Sequence, residues 1–138
     1  MDFPEQVTNV LDDLARAYGL VDLDLDSQGR VSLRRHEVVL TLSYSDVPLE
    51  GLTIFVDLGT LPMESAPALN YLLELNYLAW TANLMSIGLD ASGDRAIGQF
   101  VVPLSCIERQ SLQAQLTDMI KAAQTIRQRL AAEDYVIH

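Results

Sequence analysis

The sequence predicts a single α+β domain of order α-β-β-β-α-β-β-α, with a mostly antiparallel twisted sheet flanked by helices. Apolar residues recur at helical spacing in three segments and alternate with polar ones between them. The links between the alternating runs are short, which favours an antiparallel meander over crossover connections. The 138 residues suit one domain spanning 1–138, and 49% hydrophobic composition supplies material for one core.

Asp2 is placed to cap a first helix, with Pro4 in its first turn. Val7, Val10, Leu11, Leu14 and Tyr18 recur at helical spacing and Gly19 supplies a stop, giving a helix over roughly 3–18. Leu20 to Asp26 alternates, with Asp22, Asp24 and Asp26 opposite Val21, Leu23 and Leu25, and reads as an extra short strand. Ser27-Gln28-Gly29 is a turn. Val31 and Leu33, then Val38, Leu40, Leu42 and Tyr44, then Leu52, Ile54, Val56 and Leu58 form further extended runs, with strands expected over about 20–58. Pro62 and Pro67 bracket a loop before a helix at about 68–85. A hairpin at about 85–103 turns at Asp90–Asp94. Ser105, with Glu108 at capping-box spacing, is expected to open a last helix over about 105–132. That helix carries the stripe Leu112, Leu116, Met119, Ile120, Ala123, Ile126 and Leu130.

The middle helix is apolar on two sides. At roughly 100° per residue, Asn70, Glu74 and Thr81 fall on one narrow polar stripe and Asn76 and Asn83 on another. One apolar face carries Tyr71, Leu75, Leu78, Ala82 and Met85, the other Leu69, Leu73, Tyr77, Trp80 and Leu84. A surface helix needs one such stripe, and a domain this small has few elements to cover a second. The second face is therefore expected to form a homodimer interface, its burial contributing on the order of 10 kcal/mol before association costs.

The net charge is −10, from 19 acids against 9 bases. Such a chain repels phosphate backbones and anionic lipid, so nucleic-acid binding is not expected. One cysteine, Cys106, permits no internal disulfide. The start, Met1-Asp2-Phe3-Pro4-Glu5, lacks the features of a signal peptide, and no run of about 18 apolar residues exists, so no membrane insertion is expected. The expected location is the cytoplasm.

Residue patterns for chemistry are sparse. Counted from Asp22, the sixth and twelfth positions of a calcium loop hold Ser27 and Leu33 where Gly and Glu are needed. His36 and His138 lie at no zinc-ligand spacing, and neither a nucleophile elbow nor a phosphate-binding glycine motif occurs. No catalytic residue, metal or cofactor is assigned. Arg34 and Arg35 make a small basic spot beside His36, read as a solvated strand end, with contact to an acidic segment of a partner as the alternative.

Three segments carry a family resemblance: Leu72-Leu73-Glu74-Leu75-Asn76, Ile87-Gly88-Leu89-Asp90 with Gly93, and Phe100-Val101-Val102-Pro103-Leu104. With element order, size and acidity, the chain resembles the class I type III secretion chaperones, the Tir chaperone (CesT-like) family, over about residues 3–132. The resemblance implies a non-enzymatic bacterial homodimer paired through its second helix and neighbouring strand. It implies binding to an N-terminal segment of a secreted effector in largely extended form, keeping the effector soluble and secretion-competent, and engagement of the secretion-apparatus ATPase. An extended segment binds by adding a strand to an open sheet edge and seating apolar side chains in grooves. Candidate groove residues are Phe3, Val7, Leu11, Val31, Leu33 and Leu42, each also suited to the core. Two other readings stand beside this one. One is a ligand-binding domain or enzyme with a site at the dimer seam, which needs clustered polar groups there. The other is a regulator of the same fold that sequesters another protein.

Overall fold

The computed structural model describes residues 3–47, 49–61, 66–82, 85–107 and 112–131, with the backbone alone for 78–82. The order is α1 (Glu5–Ala17), β1 (Arg30–Arg35), β2 (Val38–Ser45), β3 (Gly51–Thr60), α2 (Ala66–Ala82), β4 (Ser86–Leu89), β5 (Arg95–Pro103), a short 3-10 turn (Leu104–Cys106) and α3 (Leu112–Ala131). The α+β class and the antiparallel sheet are as the sequence predicts.

The sheet runs β1-β2-β3-β5-β4, and every neighbouring pair is antiparallel. β1, β2 and β3 form a meander. The chain then leaves through α2 and returns as the β4–β5 hairpin, with β5 beside β3. β1 and β4 are thus the sheet's edges. Alternation sets one face inward: Leu40 and Leu42, Ile54 and Val56, Leu52 and Val102 are buried, as period two requires. α3 lays Leu112, Leu116, Met119, Ile120, Ala123, Ile126 and Leu130 against this face, its strongest contact being with β3. α1 adds Val7, Leu11, Leu14 and Ala15 to the same core.

Several boundaries differ from the sequence expectation. Pro4 is the N-cap of α1 rather than a first-turn residue, and its carbonyl accepts the N–H groups of Val7 (3.1 Å) and Thr8 (3.2 Å). Asp2 lies outside the described residues. The helix ends at Ala17 with Tyr18 as its C-cap, and Gly19, at φ 68°, lets Leu20 N–H return to the Ala15 carbonyl (2.8 Å) while Gly19 N–H donates to that of Arg16 (3.3 Å). Residues 20–26 do not form a strand. Leu23 is buried, but Val21 is fully exposed, and the segment meets β1 only at its end, where Asp26 N–H donates to the Arg30 carbonyl at 2.9 Å. Alternation is present there without a ladder. The Asp26 carboxylate instead accepts the N–H groups of Gln28 and Arg30, closing the turn into β1. Ser105 sits inside the 3-10 turn and so does not cap α3, which starts at Leu112; Glu108 lies outside the described residues. Met85 follows α2 instead of belonging to it, and is buried.

Gly51 shows how tightly the sheet closes. A Cβ there would lie 2.3 Å from the Val102 carbonyl oxygen, so the β3–β5 pairing at this point requires glycine.

Candidate functional site

Helix α2 presents two faces in different states. Ala68 and Leu72 are buried and Tyr71 and Leu75 half-buried, so the face turned to the domain centres on Ala68 and Leu72. Leu69, Leu73 and Tyr77 follow one another at four-residue spacing and are 42%, 67% and 72% exposed. These are three of the five positions expected at a dimer interface; the side chains of Trp80 and Leu84 lie outside the described residues. The helix is pinned by Asn76, whose Oδ1 accepts the Ile87 N–H at 2.9 Å and ties α2 to edge strand β4. Arg129 of α3 lies over the Tyr71 ring at 5.5 Å. The exposed row therefore sits on a fixed helix beside a fixed edge, where Leu89 is also exposed.

The other edge is β1. Beyond the Asp26–Arg30 bond, its outer side makes no backbone hydrogen bond among the described residues. Near its start the Phe3 ring packs edge-on against Tyr44, centroids 5.6 Å apart. Tyr44 donates its hydroxyl to Glu50, and this bond, with smaller contributions from desolvation and nearby carboxylates, pushes the phenol up to about 12. The phenol thus stays a neutral donor, and the ring under Phe3 is held in place. Val31, on this edge strand opposite Leu42, is half-buried.

The six expected groove residues divide. Phe3 and Val31 retain accessible surface next to the open edge. Val7, Leu11, Leu33 and Leu42 are enclosed, at 0%, 2%, 8% and 0% exposure. Their side chains face the α1–α3–sheet core and offer no surface to a ligand. Periodicity identified their apolar face, but the same spacing serves core and groove. Tyr44, which is not among the expected groove residues, comes against Phe3 through its register opposite Gly29, held by a 2.8 Å backbone bond.

Among the described residues no group of three or more His, Cys, Asp or Glu side chains is placed to hold a metal ion. Cys106 is half-buried in the 3-10 turn, its Sγ 3.8 Å from the Ser105 hydroxyl. Asp90 is held below the usual carboxylate range, chiefly by the Ser92 hydroxyl, and accepts the Arg95 N–H, which shapes the β4–β5 turn. No helix among the described residues is long and apolar enough to cross a membrane.

The model of the Tir chaperone protein (CesT) family matches residues 9–127. The chain belongs to this family. Solved structures agree on the fold. A chain of the ExsC–ExsE complex has 23% identity and a TM-score of 0.72, over 96% of this chain and 100% of that one. A chain of the HopA1–SchA chaperone–effector complex has 19% identity and a TM-score of 0.73, over 89% and 94%. One from the Yersinia pestis type III secretion chaperone SycH, in complex with a stable fragment of YscM2, has 19% identity and a TM-score of 0.66, over 86% and 98%. No curated protein sequence matches the chain. Within this family fold Asn76, prominent in the sequence resemblance, serves a physical purpose, since it fastens the second helix to β4.

Proposed function

We propose that this protein is a cytoplasmic, non-enzymatic homodimeric chaperone of type III secretion. It holds the N-terminal segment of a secreted effector in extended form and delivers it to the secretion-apparatus ATPase. The observation that carries this reading is the family match over residues 9–127, on a fold whose edge strand β1 pairs with no further strand on its outer side among the described residues. The HopA1–SchA neighbour is itself a chaperone–effector complex. An extended cargo segment adds to the β1 edge through its backbone, and Phe3, Val31 and Tyr44 provide the adjoining apolar contact.

The dimer forms through the exposed row on α2. At roughly 1.5–3 kcal/mol per fully buried large side chain, covering the open parts of Leu69, Leu73 and Tyr77 on both copies gives on the order of 6–10 kcal/mol. Association alone costs about 4–15 kcal/mol. The three side chains therefore need help, which the adjoining β4 edge with Leu89 supplies.

The test is co-expression with N-terminal segments of effectors from the same bacterium, followed by mass measurement during size exclusion. Two copies of this chain with one bound segment are expected. A monomer that captures none of the segments would overturn the reading.

A further inference from the structure

A concavity of about 300 Å³ lies where the tip of the β1–β2 hairpin meets α3. Three cation-capable side chains line it: Arg35 and His36 from the hairpin and Lys121, the chain's single lysine, from α3. Bringing the Arg35 and Lys121 charges to one cavity costs Coulomb energy even on a chain of net charge −10. Among the described residues the ion pairs are Arg16–Asp13 and Arg95–Asp57, so none of the three has a carboxylate partner there.

The walls are fixed. The Arg35 guanidinium lies 4.1 Å over the Tyr18 ring and donates one N–H to the Tyr18 carbonyl at 3.3 Å. These two contacts hold the guanidinium and leave its other donors for a ligand. Gln124 donates to the His36 carbonyl at 3.5 Å, linking the hairpin tip to α3. Thr117 and Gln124 flank Lys121 at helical spacing and line the same cavity.

We propose that this cavity binds the carboxylate side chain of an acidic peptide segment. The guanidinium fork matches a carboxylate in two-point geometry, with Lys121 as a second positive charge. The protein's overall negative charge repels a dianionic phosphate more than a monoanionic carboxylate. Arg35 is also the last residue of edge strand β1, so an extended segment laid along that edge arrives at the cavity. This deepens the chaperone reading, although the cavity's chemistry stands without it.

The test uses the isolated full chain and small probes, so its outcome does not depend on effector capture. Amide spectra are titrated with N-acetyl-glutamate methylamide, its glutamine counterpart and inorganic phosphate. The glutamate probe is expected to give saturable shifts at residues 35–37 and 117–124, and the glutamine probe none. Lys121→Gln, at an exposed site, should weaken glutamate binding about tenfold. Arg35→Gln should abolish it; if that variant unfolds, Lys121→Gln decides alone. No saturable shift, equal response to glutamine, tighter binding of phosphate than of glutamate, or an unchanged Lys121→Gln variant would each overturn the proposal. Glutamate binding without effector capture would keep the cavity and remove the chaperone reading.

Discussion

Helices α1 and α2 are both rich in apolar residues, yet among the described residues only α1 has its large apolar side chains covered. In α1, Val7, Leu11, Leu14 and Ala15 are buried, and the exposed positions are Glu5, Gln6, Thr8, Asn9, Asp12, Asp13, Arg16 and Ala17. In α2, Ala68 and Leu72 are buried while Leu69, Leu73 and Tyr77 remain open to water. A helix with one apolar stripe needs one neighbour, and a helix with two needs a second from outside. The same kind of residue therefore plays different parts in the two helices: internal stability in α1 and, in the proposed dimer, assembly in α2.

The largest effect that tests this contrast is on the α1 side. Leu11→Ala removes a side chain enclosed in the core, and should lower unfolding free energy by about 2–5 kcal/mol in chemical denaturation. A loss under about 0.5 kcal/mol would mean that Leu11 faces a surface, as its candidacy as a groove residue requires. On the α2 side, Leu73→Glu should act on association and not on the fold. Its side chain is already 67% exposed in a single chain, so monomer stability should move by no more than about 0.5 kcal/mol. In the proposed dimer the new carboxylate would be desolvated without a partner, weakening association about 100-fold or more. Mass measurement across a concentration series reads this directly, and a variant that stays dimeric at the lowest concentration would displace the interface from α2.

The contrast was partly legible in sequence. Two apolar stripes on α2 can be read from spacing, because polar residues bound them on both sides. The three-strand meander and the β4–β5 hairpin were legible for the same reason, since alternation and turn residues agree there. Residues 20–26 were not, because alternation specifies an extended backbone but not a pairing neighbour, and Val21 points into water. The groove was the least legible. Leu33 and Leu42 share an apolar face with Val31, and spacing does not tell that Val31 keeps accessible surface while Leu33, on the same edge strand, is enclosed. The start of α3 was misplaced because Ser105 and Glu108 have capping-box spacing, whereas the chain uses Leu104–Cys106 for a 3-10 turn first.

A smaller effect probes how α2 is held. Asn76→Ala leaves the Ile87 N–H without its acceptor, at a cost of about 1–2 kcal/mol. Faster hydrogen exchange should be confined to β4 and the end of α2, with α1 unchanged. Uniform acceleration across the chain would show that the bond supports the whole domain and not the α2–β4 unit.

The smallest expected effect concerns the two-residue turn between Arg35 and Val38. His36 and Glu37 adopt φ of 51° and 66°, a turn that normally selects asparagine and glycine. Neither residue is a turn former, and the strand pairing on both sides imposes the conformation. A non-glycine residue in this region carries about 1–3 kcal/mol of strain, while glycine adds about 0.5–1 kcal/mol of unfolded-state entropy. Glu37→Gly should therefore stabilise the fold by about 0.5–1 kcal/mol in denaturant unfolding, without touching the cation-lined cavity beside His36. Because the gain arises inside one chain, it should appear equally at every protein concentration, as the Leu11→Ala loss should and the Leu73→Glu loss should not. A destabilised Glu37→Gly variant would show that the Glu37 side chain contributes more to the hairpin than its backbone strain costs.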